Sequence, residues 1–126
     1  MTYYTGYFAQ LKKYEKAGLF PVSIALYHPI WFTGVRISKF APPSRTLGKY
    51  KGGMITPQEY EKEYFESLDK ENDHIIMTLH QLEVLSKGKD IILLCYEKPT
   101  EFCHRHLFAD YCKRKYNIEI TEFEVQ

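Results

Sequence analysis

"IILLCYEKPTEFCHRHLFADYC" occupies residues 91–112, and its reading decides the fold. The first five residues, Ile91, Ile92, Leu93, Leu94 and Cys95, form a continuous apolar run. So short a run, without polar alternation, fits a central parallel strand buried on both faces. The connection "YEKP" follows, then Thr100 as a plausible N-cap. A helix is predicted over about residues 101–115, with Leu107, Phe108, Tyr111 and Cys112 on one face. Strand, short connection and helix make a unit of a parallel α/β sheet, and such sheets bind ligands outside the carboxyl ends of their strands. All of the cysteines in the chain, Cys95, Cys103 and Cys112, fall in this stretch.

Working outward, "YYTGYF" (residues 3–8) reads as a β-rich strand, followed by a helical stretch over residues 10–16 that stops at Gly18. "FPVSIALY" (residues 20–27) is a second strand, with Pro21 tolerated because it lies near the start. Residues 28–53 contain Pro29, Gly34, Pro42, Pro43, Gly48, Gly52 and Gly53 and are predicted to form a long irregular loop of the lid or binding type. "TPQE" then marks a helix start, with Thr56 as cap, Pro57 at the first helical position and Glu59 completing a capping box. Tyr60, Tyr64, Phe65 and Leu68 share one face of that helix. Ile75, Leu79, Leu82 and Leu85 set the face of the next, which Gly88 ends in a left-handed cap. "IEITEFEV" (residues 118–125) alternates as a final edge strand. The expectation is a single compact α/β domain over residues 1–126, a mainly parallel sheet flanked by helices in three Rossmann-like layers.

Composition narrows the function classes. A 126-residue chain with 16% aromatic residues suits one packed domain. No apolar run is long enough to cross a bilayer. "MTYYTGYF" lacks the basic start and apolar core of a signal peptide, and the cysteine count is odd, so a reducing, cytoplasmic setting without disulfides is expected. Formal net charge is +1, but its distribution is uneven. Residues 17–58 contain no Asp or Glu, while Arg36, Lys39, Arg45, Lys49 and Lys51 all fall there. Residues 59–73 reverse the balance, which fits a solvated helix face. The basic segment suits an anion. No Walker loop or dinucleotide-type glycine fingerprint is present.

The chemistry concentrates around Cys103. A thiol in the first turn of a helix feels the positive end of the dipole and unpaired N–H groups, both of which favour the thiolate. Helical geometry directs His104 beneath the helix toward the sheet, with Cys103 and Arg105 flanking it, His106 toward solvent, and Cys112 buried as a small apolar side chain. Cys95, Cys103 and His104 could supply three metal ligands, but their spacing matches no common zinc pattern, so neither a metal nor a cofactor is expected. A phosphatase-like loop is disfavoured because "YEKPTEF" has no glycine and two glutamates that would repel phosphate.

The same residues carry a resemblance. "LLCYEKPTEFCHRHL" resembles the signature of the bacterial and phage family called domain of unknown function 488. "SIALYHPIWFTGVRISKFAPPSRTL" and "ITPQEYEKEYFESL" resemble that family's proline-rich segment and its following helix. The resemblance implies a compact cytosolic α/β domain with motif positions Cys95, Glu97, Cys103, His104 and Arg105, and with Gly6 as the glycine of the N-terminal segment. It implies no particular reaction. Where many members carry Asp-Val-Arg after the second strand, this chain reads Ala25-Leu26-Tyr27.

Two function classes follow. One is a thiol-dependent enzyme on a small anionic, nucleotide-like substrate, with Cys103 as nucleophile or acid/base, His104 as its proton partner, Glu97 as a second acid/base and Arg105 as an anion clamp. The other is a module that binds a nucleotide or nucleic-acid end without chemistry, using the helix start with Arg36 and Lys39 as clamp and Trp31 and Phe32 as stacking platform. A purely structural role for the packed thiols is the third reading. Residues 28–53 are expected to bring Arg36 or Lys39 to the Cys103 crevice. No pattern assigns an oligomeric state.

Overall fold

An apolar strand with no polar face escapes water only in the middle of a sheet, and Ile91–Cys95 lies there. The computed structural model describes residues 1–97 and 103–125. Its strands are β1 (Tyr3–Tyr7), β2 (Phe20–Ser23), β3 (Val35–Arg36), β4 (Ile91–Cys95) and β5 (Ile120–Glu122). They stand in the order β3-β2-β4-β1-β5, and every pairing is parallel. β4 is held on one side by β1, with Tyr7 opposite Cys95, and on the other by β2, with Ser23 opposite Leu94. All five of its residues are buried.

The helices are α1 (Leu11–Lys16), α2 (Ser44–Lys51), α3 (Pro57–Lys70), α4 (Asn72–Leu85) and α5 (His104–Tyr116). Alternation along β4 divides them between two faces. Ile92 and Leu94 pack with Phe8, Tyr14 of α1, Leu19, Ala25 and Phe32. Ile91 and Leu93 pack with Tyr64 and Leu68 of α3, Leu79 and Leu82 of α4, and Phe108 and Tyr111 of α5. The result is the expected three-layer α/β architecture. Gly6 of β1 belongs to the α1 face: a Cβ there would come within 2.6 Å of the Tyr14 hydroxyl and 2.7 Å of Ile92 Cδ1. The close approach of α1 to the sheet requires a glycine.

Local signals mostly acted as read. Thr56 Oγ1 accepts the Glu59 N–H at 3.1 Å, and Glu59 Oε1 accepts the Thr56 N–H at 3.0 Å. Gly88 has φ of +88°. Four expectations need correction. Residues 28–53 are not one irregular loop, for they contain β3, a 3-10 turn (Ser38–Phe40) and the two-turn helix α2. Their prolines and glycines are punctuation: Pro43 caps the start of α2 and Gly52 its end. β2 is shorter than predicted and stops at Ser23, although Ile24 N–H still reaches Leu94 O at 3.0 Å. Leu85 does not join the apolar face of α4; it is 54% exposed at the last residue of the helix. The helix read over residues 101–115 starts at His104 instead, so Cys103 precedes its first turn in extended backbone; the predicted cap at Thr100 lies outside the described residues.

Candidate functional site

The carboxyl ends of β2 and β4 are neighbours, and α5 begins above them. Cys95 continues the alternation of Ile91 and Leu93, so its thiol points to the α5 face. Cys103 is the N-cap residue of α5, in extended backbone, and its side chain makes no capping hydrogen bond. His104, the first helical residue, turns under the helix as predicted and is 7% exposed. Its Nε2 lies 2.7 Å from the Ile24 carbonyl oxygen. A carbonyl only accepts, so Nε2 carries the proton and Nδ1 presents a lone pair. Cys95 Sγ lies beside the ring, 3.5 Å from Nδ1 and 3.9 Å from Nε2. Burial lowers the His104 pKa to about 4, against the opposing pull of the Ile24 carbonyl, and the ring is neutral at pH 7. The edge of its ring contact is made with Tyr64, centroids 5.9 Å apart.

Cys95 Sγ donates to Glu97 Oε2 at 3.4 Å. The neighbouring Cys103 sulfur, then burial, push the Cys95 thiol well above the ordinary thiol range. Glu97 is half-buried; burial works to raise its pKa, but hydrogen bonds from Cys103, its own N–H and Cys95 prevail and hold it below the usual carboxyl value. The Sγ atoms of Cys95 and Cys103 and a ring nitrogen of His104 all lie within 4.8 Å of one another. The sequence offered these three as possible ligands but with a spacing that matches no common zinc pattern, because such patterns record ligands brought together by a local turn. Here a strand end and a helix start converge instead. A cavity of about 130 Å³ opens beside the group, lined by Leu47, Tyr50, Lys51, Tyr60, Glu97, Cys103 and His104.

The other predicted residues are dispersed. Arg105 is fully buried, and its guanidinium is already engaged: Nε and Nη2 donate to the two Glu122 carboxylate oxygens at 3.1 and 3.2 Å, and Nη1 to Glu97 O at 2.5 Å. Thr5 Oγ1 donates to the same Glu122 at 2.7 Å. Arg105 therefore ties α5 to β5 and fixes the backbone at Glu97. Residues 28–53 do reach the crevice, but through Leu47, Tyr50 and Lys51. Arg36 donates to Phe32 O at 2.7 Å and Lys39 acts on Glu71; neither lines the cavity. Trp31 is exposed, with its ring against Phe8 of the α1-face cluster, and Gly6 belongs to that face too. His106, predicted to face solvent, is half-buried near Glu122, and its Nε2 has no hydrogen-bond partner among the described residues. Cys112 is fully buried, as predicted. Lys51, Tyr60 and Glu122 escaped the sequence reading. Lys51 at least had a signal, since it stands in the stretch without carboxylates.

A parallel α/β sheet with one thiol at the carboxyl end of its central strand, facing a thiol and an imidazole at the start of the next helix, defines the class of protein. The chain belongs to the domain of unknown function 488 family: the model described as "Active DUF488-N3 subclade" matches residues 27–116. That span includes every residue lining the cavity and leaves Gly6 and Glu122 outside. No curated protein and no solved structure matches the chain.

Proposed function

We propose that this protein is a thiol-dependent enzyme that acts on a small anionic, nucleotide-like substrate at the Cys103 cavity. The observation that carries the reading is the identity of the N-cap residue of α5. Ser, Thr, Asp or Asn at that position would satisfy an orphan N–H and add about 1 kcal/mol of helix stability. The chain holds instead a thiol that makes no cap and lines a cavity. A site that forgoes a local stabilising cap is where chemistry is expected. His104, neutral at pH 7, and the Glu97 carboxylate supply proton-handling groups beside it. Lys51, on a helix without acidic residues, supports a negatively charged substrate. The cavity takes only a few atoms, so the reacting end enters while the remainder lies along α2. The description "Active" printed for the matching subclade accords with catalysis. The alternative of capture without chemistry draws less support, since Arg105 is spent on Glu122 and Trp31 packs against Phe8 on the α1 side.

Turnover of a panel of nucleotides and short oligonucleotides by wild type, Cys103→Ser and Lys51→Ala tests this. Cys103→Ser is expected to lower kcat by roughly a hundredfold or more with KM little changed, and Lys51→Ala to raise KM about tenfold. Wild-type turnover by Cys103→Ser would retire the reading.

A further inference from the structure

The geometry points to a metal site that the spacing in the sequence conceals: we propose that Cys95 Sγ, Cys103 Sγ and His104 Nδ1 bind one zinc ion, with a fourth position open to the cavity beside Glu97. This rests on the reading of the cluster as the reaction centre and names its cofactor. Four observations converge. In a tetrahedral zinc site with Zn–S of about 2.3 Å and Zn–N of about 2.0 Å, a sulfur and a nitrogen ligand stand about 3.5 Å apart and two sulfurs about 3.8 Å apart. Cys95 Sγ and His104 Nδ1 are 3.5 Å apart, and the three ligand atoms lie within 4.8 Å of one another, so closing the shell takes side-chain shifts on the order of 1 Å.

The tautomer is the second observation. Nε2 is committed to the Ile24 carbonyl, which leaves Nδ1 as the unprotonated nitrogen, 3.5 Å from Cys95 Sγ. A histidine that ligates a metal through one nitrogen and donates from the other to a backbone carbonyl is the usual outer-shell arrangement. Third, Cys95, Cys103 and His104 are each less than one-tenth exposed, so a dication here would be held away from competing water. Soft thiolates with an imidazole select zinc over magnesium or calcium. Two thiolates beside a carboxylate would repel one another strongly at low dielectric, and a dication removes that repulsion.

The fourth observation sets the type of site. Structural zinc is closed by four protein ligands, whereas catalytic zinc keeps a position for water or substrate. Glu97 is not part of the mutual group of three but stands 3.4 Å from Cys95 Sγ, and with Cys103 and His104 it lines the cavity. It is placed to accept a hydrogen bond from a water in the open position. Lys51 then meets an anionic group at the far side of the cavity.

The test begins with the wild-type protein, purified without chelator. Elemental analysis is expected to find one zinc per folded chain. Cobalt(II) titrated into the stripped protein should give tetrahedral ligand-field bands and a thiolate charge-transfer band that loses about half its intensity in Cys95→Ser and in Cys103→Ser. Each of those variants, and His104→Gln, should weaken zinc binding by roughly a hundredfold or more, while Cys112→Ser should not. Wild-type protein that holds no zinc and gives no cobalt charge transfer overturns the proposal without relying on any variant. Dependence on Cys95 separates the two readings. If turnover needs Cys103 but survives Cys95→Ser and chelation, the metal falls and the thiol enzyme stands. If zinc binds as described but no substrate turns over, the metal site stands and the enzymatic reading falls.

Discussion

The two halves of α5 are built from the same kinds of residue and do opposite things. The first turn buries Cys103, His104 and Arg105, polar groups that all meet partners from strand ends: Cys95, Ile24 O and Glu122. The second half buries Phe108, Tyr111 and Cys112 in the apolar cluster, with Phe108 stacked on Phe40 at 4.5 Å. Its polar contacts are peripheral: Tyr111 donates to Asp69 at 2.7 Å, and Lys115 pairs with the same carboxylate at 3.3 Å. One cysteine in each half makes the contrast sharp. Cys112 lies inside the core, and burial alone pushes its thiol up to about 12. Cys103 faces a cavity, beside a second sulfur. The difference teaches that burial does not distinguish the two thiols; what does is the cavity, the second sulfur and the imidazole beside Cys103.

The largest expected effect comes from Arg105. Its guanidinium is fully buried and bidentate to Glu122, so Arg105→Ala should destabilise the fold by about 3–5 kcal/mol, read from urea denaturation. The double replacement Arg105→Met with Glu122→Met should recover most of that loss, because no unpaired charge remains. An Arg105→Ala variant as stable as wild type would mean that this residue is not the strut described here.

The same Cys→Ser change in each half sharpens the comparison directly. Cys112→Ser places a hydroxyl in an apolar core and should cost about 1–3 kcal/mol. Cys103→Ser, melted in chelator so that metal linkage does not contribute, should stay within about 1 kcal/mol of wild type, because serine is a good N-cap. Equal losses would erase the distinction between the halves. Access gives a third reading: in chelator-treated native protein, Cys103 should be alkylated well before Cys112, and peptide mass mapping would show the order.

The smallest effect is a pH dependence in the second half. The Tyr111 hydroxyl holds the Asp69 carboxyl below its ordinary value against the opposing pull of burial, and Lys115 adds to the lowering. A carboxyl depressed by folding adds stability above its unfolded pKa of about 3.9, and that stability is lost as pH falls through the lower folded value. The difference in Tm between wild type and Asp69→Asn should therefore be present at neutral pH and shrink toward about pH 3. A difference that grows on acidification would contradict the assignment.

How much of this could be read in advance follows from the range of each interaction. The apolar run at residues 91–95 placed β4 in the sheet centre, because only a central strand hides both faces. The capping box of α3 and the left-handed Gly88 are likewise encoded within a few residues. Helical phase directed His104 beneath α5, since one turn of a helix suffices to compute it. The segment 28–53 was misread because Pro42, Pro43, Gly52 and Gly53 signal element ends as readily as loops, and composition does not distinguish the two.

The sequence by itself determined the layers, the central strand and the inward phase of His104, all of which depend on periodicity or on neighbours in the chain. The tertiary structure alone decided that Arg105 would meet Glu122 and not a ligand, that Lys51 rather than Arg36 or Lys39 would line the cavity, and that Cys95 would come within reach of Cys103 and His104. These are contacts between chain segments set side by side by the parallel register, and a charge or a lone pair has no sequence periodicity that records which partner it will face across a sheet.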